Sequence, residues 1–225
     1  MKRFLIYITI ALSLMMSSCS DFLDRYPTDS LSPTTFWQTE DQCKQGLMGV
    51  YASLKNTDLY GKMFMIDVNS DVAAGYDQYE ALQLGTCTPR TGFLNGKWQN
   101  GYNAIQRANL AIRSIGEAPI DEVPKNQMLG EARFLRALIY FHLLDYFGGL
   151  PIYDETTDLE KEFNNLLKPR SSAEETRAFI LADLEKALGA GLPDQWNDAN
   201  YGRVTLSAAQ ALLGKVYLYD KQYDK

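Results

Sequence analysis

Along most of the chain, apolar residues recur every three or four positions, and this spacing predicts five helices. The first starts at Thr39, which can close a capping box with Gln42 three residues on. Cys43, Leu47, Val50 and Leu54 form its apolar face, and Asn56-Thr57-Asp58 ends it. Phe36 and Trp37 precede the cap and staple it, with Trp37 read as core. The second helix spans about residues 96–115. Trp98, Tyr102, Ile105, Asn109 and Ile112 share a stripe, with Ala108 and Ile115 beside it. Asn109 there needs a buried partner, and a structural bond is expected. Gly116, Pro119 and Pro124 then break the pattern. The third helix runs from about 125 to 147 on Met128, Ala132, Leu135, Ile139, Leu143 and Tyr146. Leu138 and His142 widen its face, and Gly148-Gly149 with Pro151 stops it. The fourth begins at Ser171 or Ser172, since Glu174 and Glu175 stand three residues after each. Phe179, Ile180, Ala182, Asp183, Leu184, Ala187 and Leu188 carry its period as far as Gly189. The fifth spans 205–219, with Ala208, Ala209, Leu212, Val216 and Tyr219 facing one way.

Between these elements the periodicity fails in two places. Residues 59–97 hold Gly61, Gly75, Gly85, Gly92 and Gly96, with Pro89. Within them 63–68 fits a strand or a short helix equally. An irregular loop of this length in a compact domain is usually functional, so recognition is expected there. Residues 192–203 set Trp196 among Asp194, Gln195, Asn197 and Asp198, where it serves either as a plug or as a contact residue. Leu213-Gly214-Lys215-Val216-Tyr217, then Gln222-Tyr223-Asp224-Lys225, looks like the first helix and turn of a tetratricopeptide repeat. A repeat helix without its partner leaves an apolar face uncovered. The expected fold is therefore all-α, built of tetratricopeptide-like helix pairs with long irregular loops and incomplete at its C-terminal side.

The N-terminus has a different pattern. Lys2 and Arg3 precede an apolar block at 4–16, too short for the roughly 20 residues of a bilayer span. Met16-Ser17-Ser18-Cys19 follows and looks like a bacterial lipobox. An ordinary cleaved signal with an incidental Cys is the alternative. The lipobox is favoured because Cys19 stands where cleavage falls and polar Ser20-Asp21 comes next. Residues 1–18 are then a lipoprotein signal peptide, 19–35 a lipidated start and tether, and 36–225 the helical domain. Several acyl chains on one Cys suffice for anchoring, at roughly 0.8 kcal/mol per buried methylene.

Composition narrows the chemistry. Net charge is −6 over 225 residues, and cleavage before Cys19 removes two bases and no acid. Such a balance argues against a nucleic-acid partner. Cys43 and Cys87 remain, either paired or as free thiols. His142 is the only histidine, which speaks against triads and zinc sites, and no nucleophile elbow or His-Glu-x-x-His stands in the chain. A pair of glycosidase carboxylates remains open among 28 acids.

Five blocks, in order, carry a family resemblance. They are Cys19-Ser20-Asp21-Phe22-Leu23-Asp24 with Tyr26-Pro27, then Trp98-x-x-x-Tyr102-x-x-Ile105-x-x-Ala108-Asn109. Gly130-Glu131-Ala132-Arg133-Phe134-Leu135-Arg136-Ala137 follows, with Tyr140-Phe141 and Phe147-Gly148-Gly149-Leu150-Pro151. Arg170-Ser171-Ser172 with Glu174 and Asp183-Leu184, and Gly202-Arg203-Val204-Thr205 with Ala208-Ala209, complete the set. Together they resemble the N-terminal portion of the SusD-like (RagB/SusD) lipoproteins of Bacteroidetes. That resemblance implies a non-enzymatic, cofactor-free lipoprotein on the outer membrane, facing the exterior. Its implied partners are a SusC-like TonB-dependent transporter and an oligosaccharide, or in some members a peptide.

Sugars present apolar faces and many hydroxyls, which aromatic platforms with a few amides and carboxylates match. Tyr76, Tyr79 and Trp98 are the candidate platforms, with Asn69 and Asp71 as hydrogen-bonding partners. They are chosen by their position in or beside the long loop. Trp98 is divided between core and ligand roles, and Tyr102 is read as core. The alternatives are a peptide binder, a protein-only tetratricopeptide-like scaffold and, less favoured, a glycoside hydrolase.

Overall fold

The structure, a computed structural model, describes residues 36–62, 67, 73, 80–157 and 167–224. Cys19, Asn69, Asp71, Tyr76 and Tyr79 lie outside them, as do 63–66. Among the described residues there are five long helices and no strand: α1 (Glu40–Leu54), α2 (Gly92–Glu117), α3 (Glu122–Phe147), α4 (Ala173–Leu188) and α5 (Leu206–Tyr219). A single helical turn, Glu80–Gln83, falls within the long loop. The all-α expectation holds.

Local chemistry sets the helix starts. Thr39 and Gln42 form the capping box of α1. Ser172, rather than Ser171, caps α4 with Glu175, and Thr205 caps α5. Trp37 lies against α1 at Gly46, where a Cβ would collide with its ring. Two starts come earlier than the spacing suggests. α2 opens at Gly92, with Phe93 only 1% exposed and packed against Ala73, Cys87 and Leu94. Its glycines serve close approach: a Cβ on Gly96 would meet the Asp58 carboxylate, and one on Gly101 would stand 2.7 Å from Leu143. α3 opens at Glu122 with Pro124 in its first turn, where the ring's missing N–H leaves no intrahelical bond unmade. Gly148 stops α3 in the positive-φ region (φ 68°), and its N–H reaches Leu144 O.

The four-residue link 118–121 makes α2 and α3 a helical hairpin. α3 is the central element and contacts α1, α2, α4 and α5. Its middle is buried on nearly every side, not along one stripe. Glu131, Arg136 and His142 are buried there with Met128, Leu135, Ile139 and Leu143. Each of these three polar side chains has a partner. Arg136 forks onto Asp183 of α4 with two 2.7 Å bonds and adds Asn109 and Glu155 at 2.6 Å each. Burial opposes the charge on Arg136, but Asp183 and Glu155 outweigh it and raise its pKa. Glu131 accepts two bonds from Arg203 and one from Tyr51 of α1, whose hydroxyl accepts from Val204 N–H at 2.8 Å. Four of the five sequence blocks therefore meet in two buried networks. Cys43 and Cys87 are free thiols, so the disulfide alternative falls.

Two further expectations resolve. Trp196 is half-buried and anchored: its Nε1–H donates to Val204 O at 2.7 Å, and Arg203 lies 4.0 Å over its ring. His142, 8% exposed, lies between Tyr60 and Tyr146 and 3.4 Å from Lys97 Nζ. On α5, Ala209, Leu212 and Val216 are buried, whereas Leu218 and Tyr219 are more than half exposed.

Candidate functional site

α2 carries two stripes. One is apolar and faces α3. The other runs Trp98, Tyr102, Gln106, Asn109, Arg113, Glu117, again at spacings of three or four, and lines a cavity of about 870 Å³. The opposite wall is the segment 151–157, with Leu167 and Lys168. This volume lies in the range of small-ligand pockets.

The wall is held in place by side chains from two helices. Tyr102 donates to Pro151 O at 2.9 Å. Asn109 Nδ2 donates to Tyr153 O at 3.0 Å, while its Oδ1 accepts from Arg136. Tyr140 accepts from Tyr153 N–H at 2.8 Å and donates to Tyr153 O at 3.1 Å. Glu155 binds Arg136. Burial opposes ionisation of Glu155, but Arg136 holds its carboxyl below the usual range. Asn109 is thus satisfied structurally, as its place on the stripe demanded.

The floor is aromatic. Trp98 lies 4.9 Å from Tyr102 and edge-on to Phe147 at 5.2 Å, and Tyr102 meets Tyr153 at 5.9 Å. Arg170 sits 5.1 Å over Trp98, with its guanidinium held by Phe147 O and Gly149 O. Trp98 and Tyr102 are both half-buried, packed on the core and lining the cavity. Trp98 therefore packs on the core, as its core reading held, and also turns a face to the cavity. For Tyr102 the core reading omits its cavity face. Among the described residues Gln106 and Arg113, both exposed, have no side-chain hydrogen bond.

Of the sequence-chosen residues, the structure describes Trp98 alone, and it lines this groove. Reading by residue type missed Gln106, Arg113, Tyr153 and Lys168. The signal available was the second stripe on α2, four polar or charged residues continuing from Trp98 and Tyr102. The wall was legible only as a charged connector.

Among the described residues, an all-helical scaffold holding an aromatic-floored groove has the make-up of a binding protein. The chain belongs to the SusD-like family: the family described as "Starch-binding associating with outer membrane" matches residues 21–218. It is 31% identical over 226 residues to SusD-like protein P38 of Formosa agariphila, covering 98% of this chain and 42% of that protein. A crystal structure of a SusD-like protein from Bacteroides fragilis superposes with a TM-score of 0.75 at 30% identity, covering 89% of this chain and 39% of that one. A laminarin binding SusD-like protein superposes at 0.70 with 27% identity, covering 83% and 41%. The chain thus spans about two fifths of the proteins it matches. The family is one of glycan-binding proteins and not of enzymes, as the resemblance implied. Among the described residues no helix is long and apolar enough to cross a membrane.

Proposed function

We propose that this protein is a surface-exposed lipoprotein, anchored in the outer membrane through Cys19, that captures oligosaccharides and hands them to a SusC-like TonB-dependent transporter. The observation that carries the capture step is the groove. Trp98, Tyr102 and Tyr153 supply ring faces for C–H surfaces, and Gln106, Arg113 and Glu117 supply hydrogen-bonding ends for hydroxyls. Family membership supports the outer-membrane setting, and the laminarin-binding neighbour supports a glycan as cargo. Asn69, Asp71, Tyr76 and Tyr79 remain proposed contacts from the adjoining loop.

Affinity electrophoresis of the non-lipidated chain through gels containing starch or laminarin tests capture. Trp98→Ala and Gln106→Ala are each expected to weaken retardation about tenfold or more, with unchanged far-UV circular dichroism. The exposed Gln106 leaves the core intact, so its variant separates binding from folding. Retardation unaffected by both would favour a protein-only scaffold. Anchoring is tested in cells: Cys19→Ala is expected to lose membrane attachment and surface labelling, and retention of both would refute the lipid anchor.

A further inference from the structure

The described lining of the groove is more basic than the chain as a whole. The chain as a whole is acidic, with 28 Asp and Glu against 22 Lys and Arg. Yet the groove is lined by Arg113 and Lys168, with Arg170 at its Trp98 end, against Glu117 alone. Among the described residues, the other acids beside the wall are Glu155, which binds Arg136, and Asp154, which accepts from the hydroxyls of Thr156 and Thr157 and also feels the Lys168 charge.

Arg113 differs from four other arginines in having no hydrogen-bond or ion-pair partner among the described residues. Arg136, Arg177 and Arg203 each bind a carboxylate, and Arg170 binds two carbonyls. Arg113 is exposed on α2 and has no ion-pair partner among the described residues, Glu117 one turn on included. Lys168 stands on the opposite wall, 5.2 Å over the Tyr153 ring, with one long bond of 3.4 Å to Thr157. Among the described residues, this is the one hydrogen bond of an ammonium that carries three donors. Two cations on facing walls, beside an aromatic floor, suit a ligand with a ring face and a negative group. A partly enclosed site strengthens such attraction relative to open water.

Building on the glycan reading of the groove, we propose that it selects anionic glycans, whose carboxylate or sulfate groups are bound between Arg113 and Lys168 while a sugar ring lies on Trp98 and Tyr102. Arg113 presents the planar fork that fits an oxyanion in bidentate fashion, and Lys168 adds a point charge.

Isothermal titration of the full non-lipidated chain with oligogalacturonides and with their methyl esters tests this, because esterification removes the charge and keeps the ring. The acid is expected to bind about tenfold more tightly than the ester. Raising the salt concentration should narrow the gap. Lys168→Gln should close it several-fold without altering affinity for the ester, and Arg113→Gln should weaken the acid several-fold more than the ester. Oligosaccharides of a sulfated galactan, titrated in parallel with their desulfated forms, tell sulfate from carboxylate. Equal affinity for charged and uncharged forms, with both lost in Trp98→Ala, overturns the charge selection and leaves the glycan groove standing. Binding that ignores Trp98→Ala and Gln106→Ala overturns the groove itself, and this proposal with it.

Discussion

Arg136 and Asp183 are 1% and 2% exposed, and each is the other's main counter-charge. A buried pair adds little net stability over an apolar one, but removing one partner strands the other. Asp183→Ala is therefore expected to cost about 3 kcal/mol in urea denaturation, and a loss under about 1 kcal/mol would contradict this role. His142 gives a pH signature. Burial, then the Lys97 charge, pushes its pKa down from 6.5 to about 4. The unfolded chain therefore takes up a proton near pH 6.5 while the folded chain takes it up only near 4. Stability is full above the upper value and falls through this window, by about 3 kcal/mol in all. Denaturation midpoints at pH 7 and pH 4.5 should show the fall, and His142→Gln should flatten it; equal slopes in both would disprove the assignment. In the sequence, His142 was legible as a packed core residue, whereas its neighbour Lys97, 45 residues away in the chain, was not. Nothing local marks a lysine whose amine donates to Asp58 O.

Periodicity and caps are local physics, so α1, α4 and α5 could be read nearly to the residue from Thr39, Ser172 and Thr205. α2 and α3 could not, because the residues that misled are explained by tertiary contacts. Gly96 and Gly101 look like breakers until Asp58 and Leu143 are set against them. On α3, Glu131 and Arg136 look like a solvated face until Arg203 and Asp183 arrive from elsewhere in the chain. Gly101→Ala tests the close approach of α2 and α3. The added methyl meets Leu143, which is fully buried and has little room to move. A loss of about 1–3 kcal/mol is expected in thermal or urea unfolding; a gain of the kind that Gly→Ala gives in an open helix would show that the helices do not meet there.

For the molecule as a whole, ordered blocks of sequence named the family, and the structure assigns most of them to the scaffold. Arg136, Asp183, Glu131 and Arg203 hold α1, α3, α4 and the segment before α5 together. Among the block residues, Trp98, Tyr102 and Ile105 both pack in the core and line the groove. The groove was the least legible feature because half of it is a wall without periodicity, held by Tyr102, Asn109 and Tyr140 through bonds that span 13 to 49 residues of chain. The most direct test of the central claim is a crystal structure of the non-lipidated chain with the oligosaccharide it retains best in affinity gels. The account predicts a sugar ring stacked on Trp98 or Tyr102 with Gln106 hydrogen-bonded to it. Sugar bound elsewhere, with the groove between α2 and residues 151–157 empty of it, would contradict the account.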